Sequence, residues 1–277
     1  MSYIEKCGLR FLDNNMLEDT ANVVVTAETD FNGNTYQDVL DKRNYGNYRL
    51  TKDPVKDAFI IDIELKAPLS PTSFAMVPKN INNFFLSSES TVEIQASNFG
   101  FDTTQETFTG KLSRFGVFVN LVKDQMDPYR YYRVSIPFGN LGAGWTGENL
   151  DIKYMFFGDG VYRENVNIAT GFSVTYEDLS EIFQAESGRE YPNEKEFRTS
   201  FNGLRFQFME GQDKINFQKF FQCAGIKKNF LVVVDPDFNI ESDPNEYMRI
   251  MRFQNMPSQA HIIRKLFEHP FTLREAM

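Results

Sequence analysis

The residues best suited to chemistry in this chain are flat side chains set in loops, not nucleophiles or bases. Trp145, the single tryptophan, stands in Gly142-Ala-Gly-Trp-Thr-Gly147. An indole framed by glycines offers an open face that can stack on a sugar ring. Arg43, Tyr45 and Tyr48 form a second such set in the polar loop Lys42–Tyr48. The same side chains serve as a plug over the end of a β-sandwich or as a contact between subunits. For a lone tryptophan between glycines, plug or contact is the commoner role. Acids are plentiful but unfixed. Asp235, Asp237, Glu241, Asp243 and Glu246 crowd a proline-broken loop, and Asp102, Asp151 and Asp159 fall at turns. The first cluster invites a metal or catalytic-acid role, but with no histidine or short helical spacing to fix it a solvated or subunit-facing loop is the commoner reading. The other three match no calcium-loop pattern and read as solvated turn acids.

The catalytic motifs that a sequence can display are missing. Gly139–Gly147 has glycines but lacks the Lys-Ser/Thr and the strand-to-helix setting of a phosphate loop. There is no nucleophile elbow, no HExxH and no paired-cysteine motif. Glycoside hydrolysis needs two carboxylates facing one another across a cleft, and nothing here pairs them. His261 and His269 are isolated and read as ordinary strand and turn residues, while Cys7 and Cys223 read as free thiols of a reducing compartment. The expectation is a non-enzymatic protein with no metal and no cofactor.

The elements that must position these side chains are mostly strands. Val23–Val25, Phe59–Leu65, Phe84–Leu86, Thr91–Ala96, Phe115–Val122, Tyr131–Ile136 and Asp151–Phe157 are short apolar or alternating runs bounded by turn residues. Residues 97–113 read as a polar excursion, and Ala67–Pro71 as the end of the preceding strand, since proline withholds a ladder donor. This spacing predicts an antiparallel, jelly-roll-like sandwich over 20–170, preceded by residues 1–19 as an arm or first strand. Residues 171–277 predict a second, smaller sheet-plus-helix unit. Its centre is 197–238: a strand, a helix over Asp213–Cys223 with Phe217, Phe220 and Phe221 on one face, a stop at Gly225, and the strand Leu231–Val234 ending in Asp-Pro. The chain closes with two strands turning at His269-Pro270.

Composition agrees with a β-rich fold. The 277 residues include 28 Phe and 12 Tyr, large flat side chains that fill sheets. A net charge of −9 argues against direct nucleic-acid binding, which needs clustered Lys and Arg. No basic-plus-apolar leader opens the chain and no 18-residue apolar run occurs, so neither cleaved secretion nor membrane insertion is expected.

Two resemblances add to this. The order of Thr91–Ala96, Tyr131–Ile136 and Asp151–Phe157 resembles the galactose-binding-like β-sandwich, a fold that recurs as a carbohydrate-binding or structural domain in bacteriophage minor tail proteins. The order Phe197–Phe208, Ile215–Cys223, Phe230–Asp237, Tyr247–Phe253 and Phe271–Ala276 resembles the sheet-plus-helix unit of phage tail-tube and distal-tail proteins. The resemblance implies a virion structural subunit of a phage tail, assembled in the host cytoplasm. Its second domain would form a homo-oligomeric ring, and its further partners would be other virion proteins. The alternative it implies is a carbohydrate-binding module that contacts host-surface glycans.

Overall fold

The computed structural model describes residues 9–12, 14–27, 36–40, 48–52, 55–78, 91–113, 116–121, 127–138, 149–159, 173–184, 190–193, 197–209, 211–234, 248–255, 260–263 and 266–276. The expected strand Phe84–Leu86, the loop holding Arg43 and Tyr45, the Trp145 loop and the acid-rich loop 235–246 lie outside these residues. The chain divides into two compact units, one of residues 1–163 with 231–249 and one of 164–230 with 250–277. The second is therefore interrupted, where the sequence reading has an unbroken 171–277.

The first unit is built from β1 (Leu9–Leu12), β2 (Asn14–Asn15), β3 (Val23–Ala27), β4 (Tyr48–Thr51), β5 (Ala58–Leu69), β6 (Ser73–Pro78), β7 (Thr91–Ser97), β8 (Glu106–Ser113), β9 (Gly116–Asn120), β10 (Tyr129–Pro137) and β11 (Asn149–Asp159). Ten of these strands join antiparallel in the order β2-β11-β6-β9-β8-β7-β10-β5-β3, with β4 also on β11. β8 is the corner. Its first residues pair β7, and Leu112 and Ser113 pair Val117 and Gly116 of β9. The sheet thereby folds into two layers over one core, a mainly-β antiparallel sandwich.

Alternation explains that core. Phe59, Ile61, Ile63 and Leu65 of β5, Val92, Ile94 and Ala96 of β7, and Tyr132, Val134 and Ile136 of β10 all point inward, meeting Phe74, Met76, Val119, Ile152 and Phe157 from the other layer. Tyr132 and Phe157 meet edge to face at 4.9 Å. Burial pushes the Tyr132 hydroxyl well above its usual pKa. It donates to the Leu69 carbonyl at 2.8 Å, so the one polar atom of this side chain is satisfied.

Three expectations are corrected here. Residues 97–113 contain a full strand, β8, whose Phe108 and Leu112 are buried while Thr107 and Thr109 face solvent. Threonines at the exposed positions make it read as loop. β5 runs through Pro68 to Leu69. It can do so because the register with β10 jumps from Tyr131–Glu64 to Tyr129–Leu69, leaving Pro68 without a ladder partner there. Of the expected arm or first strand, residues 9–12 and 14–15 are paired rather than free: β1 pairs β16 (Phe230–Val234), and β2 pairs β11.

The second unit contains β12 (Ser173–Asp178), β13 (Glu181–Gln184), β14 (Glu190–Asn193), β15 (Phe197–Met209), α1 (Gly211–Ala224), β17 (Met248–Phe253), β18 (Ala260–Ile263) and β19 (Leu266–Glu275). Its sheet runs β17-β19-β15-β12, with β18 also on β19, while β13 and β14 pair as a separate hairpin. Phe201 and Leu204 are both buried although three residues apart. A bulge between them, with Gly203 at φ +73°, restores the inward phase. α1 lies on this sheet through phenylalanines: Phe217 contacts Phe206 at 5.1 Å, Phe220 contacts Phe230 at 5.2 Å, and Phe221 contacts Phe253 at 4.8 Å. Gly225, at φ +53°, closes the helix by donating to Phe221 O.

Two further readings change. In the terminal hairpin Ile263 of β18 stands opposite Leu266 of β19, so His269 and Pro270 lie inside β19. Pro270 falls where β19 passes from pairing β18 to pairing β17, a place where a missing N–H costs nothing on that side. β17 does not present alternate core and interface faces: every residue except Arg252 is buried, Arg249 among them.

Candidate functional site

The outward face of β5, β10 and β7 is the best-defined site. The same period that sends isoleucines inward places Asp62 and Glu64, Tyr131 and Arg133, and Glu93 and Gln95 on the opposite side. Register then sets them in rows. Arg133 stands opposite Asp62 on one side and Gln95 on the other, and Tyr131 stands between Glu64 and Ser97.

Arg133 is held as a planar fork. Its Nε and Nη2 donate to the two Asp62 carboxylate oxygens at 2.7 and 2.8 Å. This bidentate pairing, the largest cause, raises the Arg133 pKa further above its already high value. One face of the guanidinium is 5.3 Å from the Phe101 ring centre, and Phe101 meets Tyr131 edge to face at 5.2 Å. Arg130 lies 5.2 Å from the Tyr131 ring centre and donates to Glu64 at 2.7 Å. Its Nε is shielded from solvent and meets no acceptor among the described residues. Gln95 donates to Glu93 at 2.6 Å and accepts from the Thr104 hydroxyl at 3.1 Å.

The loop carrying Phe101 is pinned from both ends. Asn98 Nδ2 donates to Pro128 O, Asn98 Oδ1 accepts from Arg130 N, Asn98 N donates to Gln105 Oε1, and Phe99 N donates to Ser97 Oγ. The result is a fixed, partly exposed platform of two rings, two guanidiniums and several amide and carboxylate oxygens. It can stack on a flat apolar ring face and exchange hydrogen bonds with hydroxyls around it. Asp62 and Glu64 are each engaged by an arginine.

Those of the residues singled out in the sequence that the structure describes fall elsewhere. Tyr48 is a core residue of β4, 3% exposed, with burial and the neighbouring Tyr36 pushing its pKa up to about 12. It cannot stack on a ligand in solvent. Arg43, Tyr45 and Trp145 lie outside the described residues. Asp151 is engaged by Arg49 through two hydrogen bonds of 2.7 and 3.0 Å, opposite it across β4 and β11. Phe217 and Phe220 are buried and Phe221 partly so. Among the described residues no group of three or more His, Cys, Asp or Glu is arranged to hold a metal ion. No described helix is long and apolar enough to cross a membrane.

The signal for the platform is present in the sequence at the polar positions of Ile61-Asp-Ile-Glu-Leu65 and Tyr131-Tyr-Arg-Val134: opposite charges on two alternating strands. What that signal lacks is the pairing that makes the two strands neighbours.

No protein-family model matches the chain, and no curated protein does. Several solved structures are similar in part. The family 32 carbohydrate-binding module of C. perfringens NanJ, solved with galactose, is 16% identical, with a TM-score of 0.36 over 54% of this chain and 98% of that one. A further Clostridium perfringens module, solved with GalNAc-β-1,3-galactose, is 12% identical at a TM-score of 0.34, covering 50% of this chain and 96% of its own. An F5/8 type C domain from Bacteroides fragilis is 12% identical at a TM-score of 0.32, covering 55% and 97%. Identities this low and TM-scores below 0.5 assign neither a family nor a ligand to this chain. None of these three is a phage tail protein.

Proposed function

We propose that the chain is a non-enzymatic carbohydrate-binding protein whose first unit takes its ligand on the β5–β10–β7 platform. The observation that carries this reading is the row Asp62–Arg133–Gln95 beside the Phe101–Tyr131 ring pair. Sugars present both an apolar ring face and a rim of hydroxyls. A ring pair next to fixed donors and acceptors answers both, at low ordering cost because the salt bridges already hold the side chains. The named ligands of two similar structures, galactose and GalNAc-β-1,3-galactose, make galactose-containing glycans the first to try. The test is a glycan array probed with the wild-type chain and with Phe101→Ala and Gln95→Ala variants checked for folding by circular dichroism. Retention that falls by about tenfold or more in both variants, ~1.4 kcal/mol, supports the reading. An empty array, or binding indifferent to both changes, rejects it.

A second reading, a virion structural subunit of a phage tail, is favoured by β12. This strand closes the second unit's sheet beyond β15, and its residues Thr175 to Asp178 are exposed. A sheet edge offers unpaired backbone groups to a neighbour. It carries neither the lysine nor the proline that blunts such edges. On this reading negative-stain images of the purified chain show rings, and Thr175→Pro disperses them. A monomer at all concentrations counts against it.

A further inference from the structure

We infer that the ligand of the platform is an oligosaccharide of at least two sugar units, the second of which stacks on Phe99. This rests on the carbohydrate reading above and adds to it the length of ligand and the residue that reads it.

Phe99 is 76% exposed, an unusual position for a phenylalanine in a segment so closely held. Hydrogen bonds hold the chain before it and the return of the loop at Gln105. The Phe99 N–H donates to Ser97 Oγ, Asn98 is bonded to Pro128, Arg130 and Gln105, and Gln105 N donates to Ala96 O. The ring is therefore presented to solvent by a pinned loop. Gly100 at φ +107° sits between the two phenylalanines, with open space where a Cβ would be. That left-handed turn lies between Phe101, which packs over Arg133, and Phe99, which stays exposed. Two residues of chain span at most about 7 Å, so both side chains stem from the same short stretch of the loop. One sugar unit over Phe101 and the guanidinium of Arg133 leaves Phe99 uncovered. A linked second unit covers it.

The test compares matched mono-, di- and tetrasaccharides of the array-positive sugar by isothermal titration against the wild-type chain, Phe99→Ala and Phe101→Ala. The expected result is a gain of about tenfold from mono- to disaccharide. Phe99→Ala abolishes that gain and leaves the monosaccharide affinity unchanged, and Phe101→Ala weakens both. Equal affinities for all lengths, or a length gain that survives Phe99→Ala, overturns the inference while leaving the platform intact. Loss of all binding in the wild type overturns the platform itself.

Discussion

The two units bury apolar surface in different ways. In the first, the core is mostly aliphatic and comes largely from alternation along β5, β7, β10 and the first half of β11: Ile61, Ile63, Ile94, Val134 and Ile152 are all inaccessible to solvent. In the second, one helix is sealed onto a sheet by rings, with Phe206, Phe217, Phe220, Phe230, Phe253 and Phe271 in mutual contact. Alternation leaves every second residue of each strand free to carry polar groups, and in β5, β10 and β7 those positions hold the platform. The comparison teaches that a half-buried strand can be a core element and a binding element at once.

The contrast predicts where single changes hurt most. Phe217→Ala removes a ring in contact with Phe206, Phe221 and Phe271 and is expected to cost ~3–5 kcal/mol. Ile94→Val, in the aliphatic core, is expected to cost only ~1 kcal/mol. Denaturant melts of both variants check this, and equal losses would erase the distinction between the cores.

The first unit has its own weakness at high pH. The folded-state pKa of Tyr48 is raised from 10.0 to about 12, with burial as the first cause. An unfolded tyrosine ionises first, so this stabilisation is complete below pH 10 and is lost as pH rises through the interval to 12. The loss is ~1.4 kcal/mol per pH unit, or ~3 kcal/mol in all. A Tyr48→Phe variant is expected to show a shallower fall of stability between these pH values, and an unchanged slope would refute the assignment.

Gly116, at φ +129° beside the corner of the sandwich, is a further point of sensitivity. An added Cβ there would collide with the Met76 carbonyl and the Met248 side chain. Gly116→Ala is expected to lose ~1–3 kcal/mol, read as a lower midpoint in a thermal or urea melt. At the small end, Arg274→Ala in the second unit breaks a half-exposed pair with Glu177 at 3.0 Å and should cost under about 1 kcal/mol. A larger loss would show that the edge strand β12 depends on this pair more than on its ladder with β15.

Much of the fold was legible because its signals are local. Ile61–Leu65, Thr91–Ala96 and Tyr131–Ile136 alternate, and the helix of the second unit shows its phenylalanines at helical spacing with Gly225 after them. The failures were of another kind. β8 hid behind exposed threonines, Pro68 and Pro270 looked like strand ends, and Tyr48 looked like loop. Each depends on whether a partner strand stands at a given residue, which neighbours in sequence do not reveal. The same limit applied to the site: Asp62 and Arg133 are 71 residues apart, yet they form its best-fixed pair.

By itself, then, the sequence determined the β-rich class, the inward faces of the main strands and the helix α1 with its apolar side. These follow from side-chain periodicity and turn chemistry, which act over a few residues. Only the tertiary structure decided that β5, β10 and β7 lie side by side. Backbone pairing across long separations fixes register, and register alone puts a guanidinium, a carboxylate, an amide and two rings on one surface.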